Sequence, residues 1–146
     1  MLYNSEGYLD PTAYTAIKNI GKEKKIVFIC SPYKGDIELN TMRAKRYARF
    51  AITKKKVPII PHLMYPRFLD ENNHEERVLG LQMGLILLEK CHEVWVFGNK
   101  ISRGMEIEIK KAKEMIIPVK YYNIHCKFIG GKKWKLTVLL IVNLNV

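Results

Sequence analysis

The chain has 146 residues, of which 48% are hydrophobic, and a formal net charge of +11 at pH 7. This length and apolar content predict a single domain over residues 1–146 and argue against a second one. The apolar run at residues 136–142 is far shorter than the roughly 20 residues that cross a bilayer, so we expect no membrane span.

The positive charge fits a polyanionic ligand, either a nucleotide or a nucleic acid. The lysines are dispersed along the chain, however, and solvated faces explain most of them, so nucleic-acid binding is the less favoured alternative. The three cysteines show no C-x-x-C spacing, and the first residues lack the pattern of a secretory signal. We therefore expect a cytoplasmic protein with buried thiols, without a cofactor and, since the histidines lack ligand spacing, without a metal.

Predicted strands and helices alternate from the beginning of the chain. A short helix is expected between residues 11 and 21. The continuous apolar run at residues 26–30 is typical of a central parallel strand. Apolar residues then recur at helical spacing over residues 44–52, behind a cap at Asn40 or Thr41.

The second half of the chain continues this alternation. It predicts, in order, a strand at residues 57–60, a helix from Glu75 to just before Cys91, a strand at 94–97, a helix at 102–115 and a strand at 117–122. Repeated βα units imply right-handed crossovers and helices on both faces of the sheet. The predicted fold is α/β, a flavodoxin-like or Rossmann-like three-layer sandwich with a parallel sheet of four to five strands.

Polar side chains follow three of the predicted strands. Because the carboxyl ends of parallel strands meet at one edge of a sheet, the three loops should line one crevice. In chain order they contribute Ser31, Tyr33, His62, Arg67, Asp70 and the segment 102–108. That last segment places a hydroxyl, bare backbone N–H groups and a carboxylate at a helix start, where a ligand with a phosphate or a sugar would fit.

Two motifs carry a family resemblance. The segment Ser102-x-Gly104-x-x-x-Glu108-x-x-x-Ala112, after an apolar strand, resembles the signature of the nucleoside 2-deoxyribosyltransferase superfamily. That superfamily includes N-glycoside hydrolases of nucleoside 5′-monophosphates. The opening Phe-Ile-Cys-Ser-Pro-Tyr at residues 28–33 is similar to its first strand and substrate loop. The resemblance covers residues 26–122 and is strongest to a small, little-characterised branch, while the two terminal extensions lie outside it.

The resemblance implies site residues. The glutamate matching Glu108 is the family's nucleophile, which attacks the anomeric carbon and forms a glycosyl-enzyme ester. The serine matching Ser102 helps to hold the phosphate in the monophosphate hydrolases. The expected substrate-binding residues are Ser31, Tyr33, His62, Arg67, Asp70, Ser102, Gly104 and Met105. Family sites are completed by a neighbouring subunit, so a homo-oligomer is expected.

Elementary chemistry suits this assignment of Glu108. A position near a helix N-terminus is expected to lower the pKa of its carboxyl and keep it ionised. Gly104, one turn earlier, removes a side chain that would block a sugar. Glu106 is the rival, but it lies roughly 200° around the helix from Glu108.

One departure from the family pattern bears on activity. Family transferases carry an aspartate on the helix before the third strand, where this chain has only apolar residues and glycine at 84–87. Glycosidic cleavage normally uses two acidic groups. Either Asp36, Asp70, Glu75 or Glu76 therefore supplies the second one, or the chain binds nucleotides without cleaving them. The favoured function is cleavage or transfer at the N-glycosidic bond of a nucleoside or nucleoside 5′-monophosphate, and the alternatives are a non-catalytic nucleotide-binding protein and a nucleic-acid-binding protein.

Overall fold

A computed structural model describes residues 3, 5–7, 11–18 and 24–132 of the chain. Its strands are β1 (Ile26–Cys30), β2 (Val57–Ile59), β3 (Glu93–Phe97), β4 (Val119–Tyr122) and β5 (Phe128–Lys132). Its α-helices are α1 (Pro11–Lys18), α2 (Ile37–Thr53), α3 (His74–Glu89) and α4 (Arg103–Glu114). Two short 3₁₀ turns, Pro61–Leu63 and Tyr65–Arg67, lie between β2 and α3.

The five strands form one sheet in the order β2-β1-β3-β4-β5. The pairs β1–β2, β1–β3 and β3–β4 are parallel. This is the flavodoxin-like order, so the predicted α/β fold is confirmed.

The antiparallel strand β5 is a feature that the sequence pattern did not predict. It pairs with β4 after a tight turn, in which the side chain of Asn123 accepts hydrogen bonds from the backbone N–H groups of His125 and Lys127. Cys126 adopts a φ of 61° in this turn. Because β5 contains adjacent glycines, Gly130 and Gly131, it lacks the apolar alternation that identifies a strand.

The start of α2 differs from the predicted one. The helix begins at Ile37, and its cap is Asp36, whose Oδ1 accepts a hydrogen bond of 3.1 Å from the N–H of Leu39. The predicted cap at Asn40 or Thr41 is therefore wrong. Asn40 instead donates its side-chain amide to two carbonyls of the preceding loop, because it lies one turn inside the helix. The predicted end of the first short helix, at residue 21, lies outside the described residues.

Two apolar layers enclose the sheet. One packs against α3 and α4 and includes Phe28, Cys30, Leu88, Val94 and Ile109. The other packs against α2 and is dominated by aromatic side chains, with Tyr47, Trp95, Phe97 and Tyr122 among its members. The prediction of buried thiols is confirmed for Cys30 and Cys91, whereas Cys126 is only partly buried.

The route of the chain positions a crevice at the carboxyl edge of the sheet. After β1 the chain passes to α2 on one face, and after β3 it passes to α4 on the other face. The two strands are neighbours, so their ends leave a gap between diverging connections. Gaps of this kind are where open α/β sheets bind ligands.

Two further findings concern the described part of the chain only. None of its helices has the length and apolarity required to cross a membrane. Among the same residues, no group of three or more His, Cys, Asp or Glu side chains could hold a metal ion. The apolar run at 136–142 lies outside the described residues.

Candidate functional site

A cavity of about 430 Å³ opens at the carboxyl edge of the sheet. Its walls come from the loop after β1, the 3₁₀ turns after β2, one face of α3 and the first turns of α4. The volume lies within the range of ordinary ligand pockets. We call it the first cavity.

Glu108 lies in the wall of this cavity, in the second turn of α4. Its side chain is only partly exposed, it takes part in none of the ion pairs of the described residues, and it lies near the thiol of the buried Cys30. Burial raises the pKa of Glu108 to about 7, and the nearby Cys30 thiol opposes that rise only in part. The expected lowering of this pKa is wrong, because the field of a helix end fades within its first turn whereas desolvation acts in full.

The rival carboxylate points elsewhere. Glu106 is exposed on α4 and does not line the first cavity. Two residues along a helix correspond to about 200° of rotation, so Glu106 and Glu108 lie on different faces.

Ser102 and Gly104 shape the cavity wall at the start of α4. Ser102 is the helix cap, and its Oγ accepts a hydrogen bond of 3.3 Å from the N–H of Met105. First-turn N–H groups of a helix have no partner within the helix, so they can face an anion. A Cβ added to Gly104 would meet nothing within 4 Å beyond its chain neighbours and the backbone of its own helix, so a side chain there would have open space around it. Met105 also borders the cavity, but its side chain is 1% exposed and belongs to the core.

Another part of the cavity wall is an uncharged polar and aromatic cluster. Ser31 Oγ lies 3.4 Å from His62 Nε2, and the rings of Tyr33 and His62 have centroids 5.4 Å apart. Burial lowers the pKa of His62 to about 4, so this histidine is neutral at pH 7. A neutral imidazole offers one donor and one acceptor, which suits hydrogen bonding to a sugar or a base.

Two predicted site residues do not line the first cavity. Arg67 and Asp70 are both exposed. The carboxylate of Asp70 accepts a hydrogen bond from the N–H of Asn72, and the N–H of Asp70 donates to Glu76. The loop after β2 coils through two 3₁₀ turns, so His62, Tyr65 and Pro66 line the cavity while Arg67 and Asp70 do not.

Several cavity-lining residues had not been predicted. His74 and Arg77 lie on the face of α3 that also carries Leu81 and Gly84. Their spacing of three and four residues is the signal that could have found them, because residues so spaced share a helix face. Lys34, in the predicted loop after β1, and Arg103, in the predicted segment 102–108, also line this cavity and add positive charge.

A second carboxylate lines the cavity, but it is none of the four residues that the sequence analysis offered as the second acidic group. Glu71 lines the first cavity, whereas Asp36, Asp70, Glu75 and Glu76 do not. Its charge adds to the effect of burial in raising the pKa of Tyr33, which places Glu71 near that ring. The wall beside α3, where the family aspartate was expected, is formed by Gly84 and Leu85.

The order of the strands and the position of the cavity place the chain in the class of flavodoxin-like α/β proteins, in which a crevice lies between β1 and β3. Residues 25–122 match the family model described as "Domain of unknown function (DUF7768)", and the chain belongs to this family. The fold is similar to a solved 2-deoxyribosyltransferase from the psychrotolerant bacterium Bacillus psychrosaccharolyticus, at 14% identity and a TM-score of 0.53, over 67% of this chain and 72% of that one. That enzyme is described as a biocatalyst for the synthesis of antiviral and antitumoral nucleosides. The sequence has no significant match among curated proteins.

Proposed function

We propose that the protein cleaves or transfers the N-glycosidic bond of a nucleoside or nucleoside 5′-monophosphate through Glu108. The observation that carries the proposal is a partly buried carboxylate without a cationic partner in the wall of a ligand-sized cavity. The similar fold of a 2-deoxyribosyltransferase supports the same class of reaction.

In the first step, an ionised oxygen of Glu108 bonds to the anomeric carbon as the bond from that carbon to the base nitrogen breaks. The electron pair of the broken bond goes to the base nitrogen. The departing base takes up a proton from solvent, through a water molecule that we place at the Glu71 carboxylate in the cavity wall. The products of this step are the free base and a glycosyl ester on Glu108.

In the second step, water or the nitrogen of another base attacks the anomeric carbon. The carbon–oxygen bond to Glu108 breaks, and the carboxylate recovers its electron pair. The attacking group gives its proton back to solvent through the water at Glu71, so both carboxylates return to their starting state. Water as acceptor makes the protein a hydrolase, and a base makes it a transferase.

The other lining residues have binding roles in this proposal. The neutral His62, with Ser31 and Tyr33, contacts the sugar or the base. Ser102 and the first turn of α4 receive a phosphate on the 5′ oxygen.

A non-catalytic nucleotide-binding protein is the second candidate function. The observation in its favour is the apolar wall at Gly84 and Leu85, where the resemblance predicts an aspartate. Such a protein would bind the same ligands in the first cavity and leave them intact.

Release of free base decides between the two candidates. The purified protein is incubated with a panel of nucleosides and 5′-monophosphates, with and without a second base, and the products are separated by chromatography. We expect base release from at least one compound, and nucleobase exchange if the enzyme is a transferase. Stabilisation of the protein by a nucleotide that is never cleaved would favour the binding function.

The proposal includes a homo-oligomer and a cytoplasmic location. Removal of residues 133–146 leaves β5 intact and deletes the apolar run at 136–142, so it tests assembly without damage to the described sheet. We expect the full chain to be larger than one protomer by light scattering and the shortened chain to be smaller. Equal masses for the two would contradict a role of this run in assembly.

A further inference from the structure

A second cavity, of about 530 Å³, lies beside the first. Its walls come from the loop after β1, the first turns of α2 and the loop between β3 and α4. It therefore lies towards the face of the sheet that carries α2, whereas the first cavity lies towards α3 and α4.

The second cavity is positively charged. Lys34, Arg43 and Lys100 line it from three separate segments, and none of them takes part in an ion pair within the described part of the chain. The carboxylate in its lining, Asp36, is engaged in capping α2 through the N–H of Leu39. Three cations around one concave space attract a group with more than one negative charge.

The two cavities share part of their walls. Lys34, in the loop after β1, and Ser102, at the start of α4, line both of them. A ligand held in the first cavity can therefore continue past Ser102 into the second one. A single phosphate at Ser102 and Lys34 would leave Arg43 and Lys100 without a partner.

We propose that the second cavity binds the outer phosphates of a nucleoside diphosphate or triphosphate whose nucleoside part occupies the first cavity. The proposal rests on the function proposed above and narrows its substrate class. The first phosphate lies at Ser102 and the start of α4, and the remaining phosphates pair with Arg43 and Lys100. Charge-assisted hydrogen bonds from guanidinium and ammonium groups to phosphate are strong enough to distinguish these ligands.

Titration calorimetry on the full chain tests this proposal with the mono-, di- and triphosphates of the four common deoxynucleosides as probes. We expect the triphosphate of the preferred nucleoside to bind at least tenfold more tightly than its monophosphate. Lys100→Ala and Arg43→Met should each reduce that ratio about tenfold or more and leave monophosphate binding within about twofold. Lys100 is exposed, so its variant is expected to fold even if the half-buried Arg43 does not tolerate replacement.

Arg49→Ala is the matched control, because Arg49 is an exposed cation on the same helix α2 and lines neither cavity. It should keep the full preference for triphosphate. Equal affinities of mono- and triphosphate for the native protein would overturn the proposal. An equal loss in Arg49→Ala would also overturn it, since the preference would then reflect the net charge of the chain.

The phosphate site and the proposed glycosidic reaction are tested by two different measurements. Binding is measured without turnover, and base release is measured independently by chromatography. A triphosphate preference without base release would refute the glycosidic reaction and retain the second cavity as a phosphate site. Base release without a triphosphate preference would retain the reaction and refute the site.

Discussion

Glu93 and Glu108 are carboxylates at opposite edges of the same sheet. Glu93 begins β3, and its Oε1 lies 2.8 Å from the ammonium of Lys120, while Oε2 has no hydrogen bond and lies 4.0 Å from Lys56. Glu108 lies at the carboxyl edge, near the Cys30 thiol, and takes part in no ion pair of the described residues. The charge of Glu93 is balanced by lysines. Glu108 has no such counter-ion in the described part of the chain, so burial favours its protonated, neutral form.

This difference fits a structural role for Glu93 and the proposed chemical role for Glu108. A buried charge is tolerated when a counter-ion accompanies it, and it destabilises the fold when none does. Glu93 therefore fits a part of the scaffold. Glu108 destabilises the folded state in its ionised form, and an arrangement of that kind is common at reactive sites.

The largest expected effect is the loss of reaction in Glu108→Gln. The amide cannot form a glycosyl ester, so base release should fall by about 10³-fold or more. In the native protein, kcat/KM should rise with pH through about 7 as Glu108 ionises. Product chromatography across a pH series measures both. Glu106→Gln, on the exposed face of α4, should keep the native rate, and an inactive Glu106 variant with an active Glu108 variant would reverse the assignment.

Glu71→Gln adds a third carboxylate to the comparison. If Glu71 holds the water that passes a proton to the leaving base, its loss should lower base release by about 10²-fold. The loss should be smaller for substrates whose base leaves without protonation, and that dependence on the leaving group distinguishes proton transfer from a structural effect. Glu75→Gln, an exposed position in the first turn of α3, is the control. A uniform loss across all leaving groups would contradict the role.

Stability should depend on pH through Glu108. The pKa is raised from 4.5 to about 7 in the folded protein, so between these values the folded state holds more protons than the unfolded state. The free energy of unfolding should therefore fall as pH rises through this window, by about 3 kcal/mol at most. Glu108→Gln should be more stable than the native protein at pH 8 and close to it at pH 4.5. Urea denaturation of both proteins at pH 8 and pH 4.5 measures the difference in unfolding free energy. A variant that is less stable than the native protein at pH 8 would contradict the burial of an unpaired charge.

The smallest expected effect concerns the paired carboxylate. Lys120→Met removes the ammonium 2.8 Å from Glu93 while keeping most of the aliphatic stem. The Lys120 side chain is 40% exposed, so solvent reduces the cost to about 1–2 kcal/mol of unfolding free energy, less than that of a fully buried pair. Base release should stay at the native level. A loss of activity at unchanged stability would show that the two edges of the sheet are not independent.

The parts of the fold that rest on local pattern could be predicted from sequence. The apolar runs of β1 and β3 predict the central strands, and the helical period that follows Ser102 predicts the position of α4. β5 could not be predicted, because pairing with β4 and the turn at Asn123 make it a strand, and its own residues carry no such pattern.

The site residues that can be predicted from sequence are those that come directly after a strand or at the start of the next helix. Ser31, His62 and Glu108 line the first cavity because they follow parallel strands or begin the next helix. Glu71 and Arg77 depend on how the long loop after β2 coils and which face of α3 turns inward, which only packing decides. The pKa of Glu108 depends on burial for the same reason.

Gly104 has a consequence for how this protein could be altered. Alanine is favoured over glycine within a helix by up to about 1 kcal/mol, and a Cβ at this position would meet nothing beyond its chain neighbours and the backbone of its own helix. Replacement by alanine or a larger residue should therefore be tolerated by the fold while it changes which molecules enter the first cavity. Position 104 is thus a point at which the range of accepted substrates could be engineered separately from the scaffold.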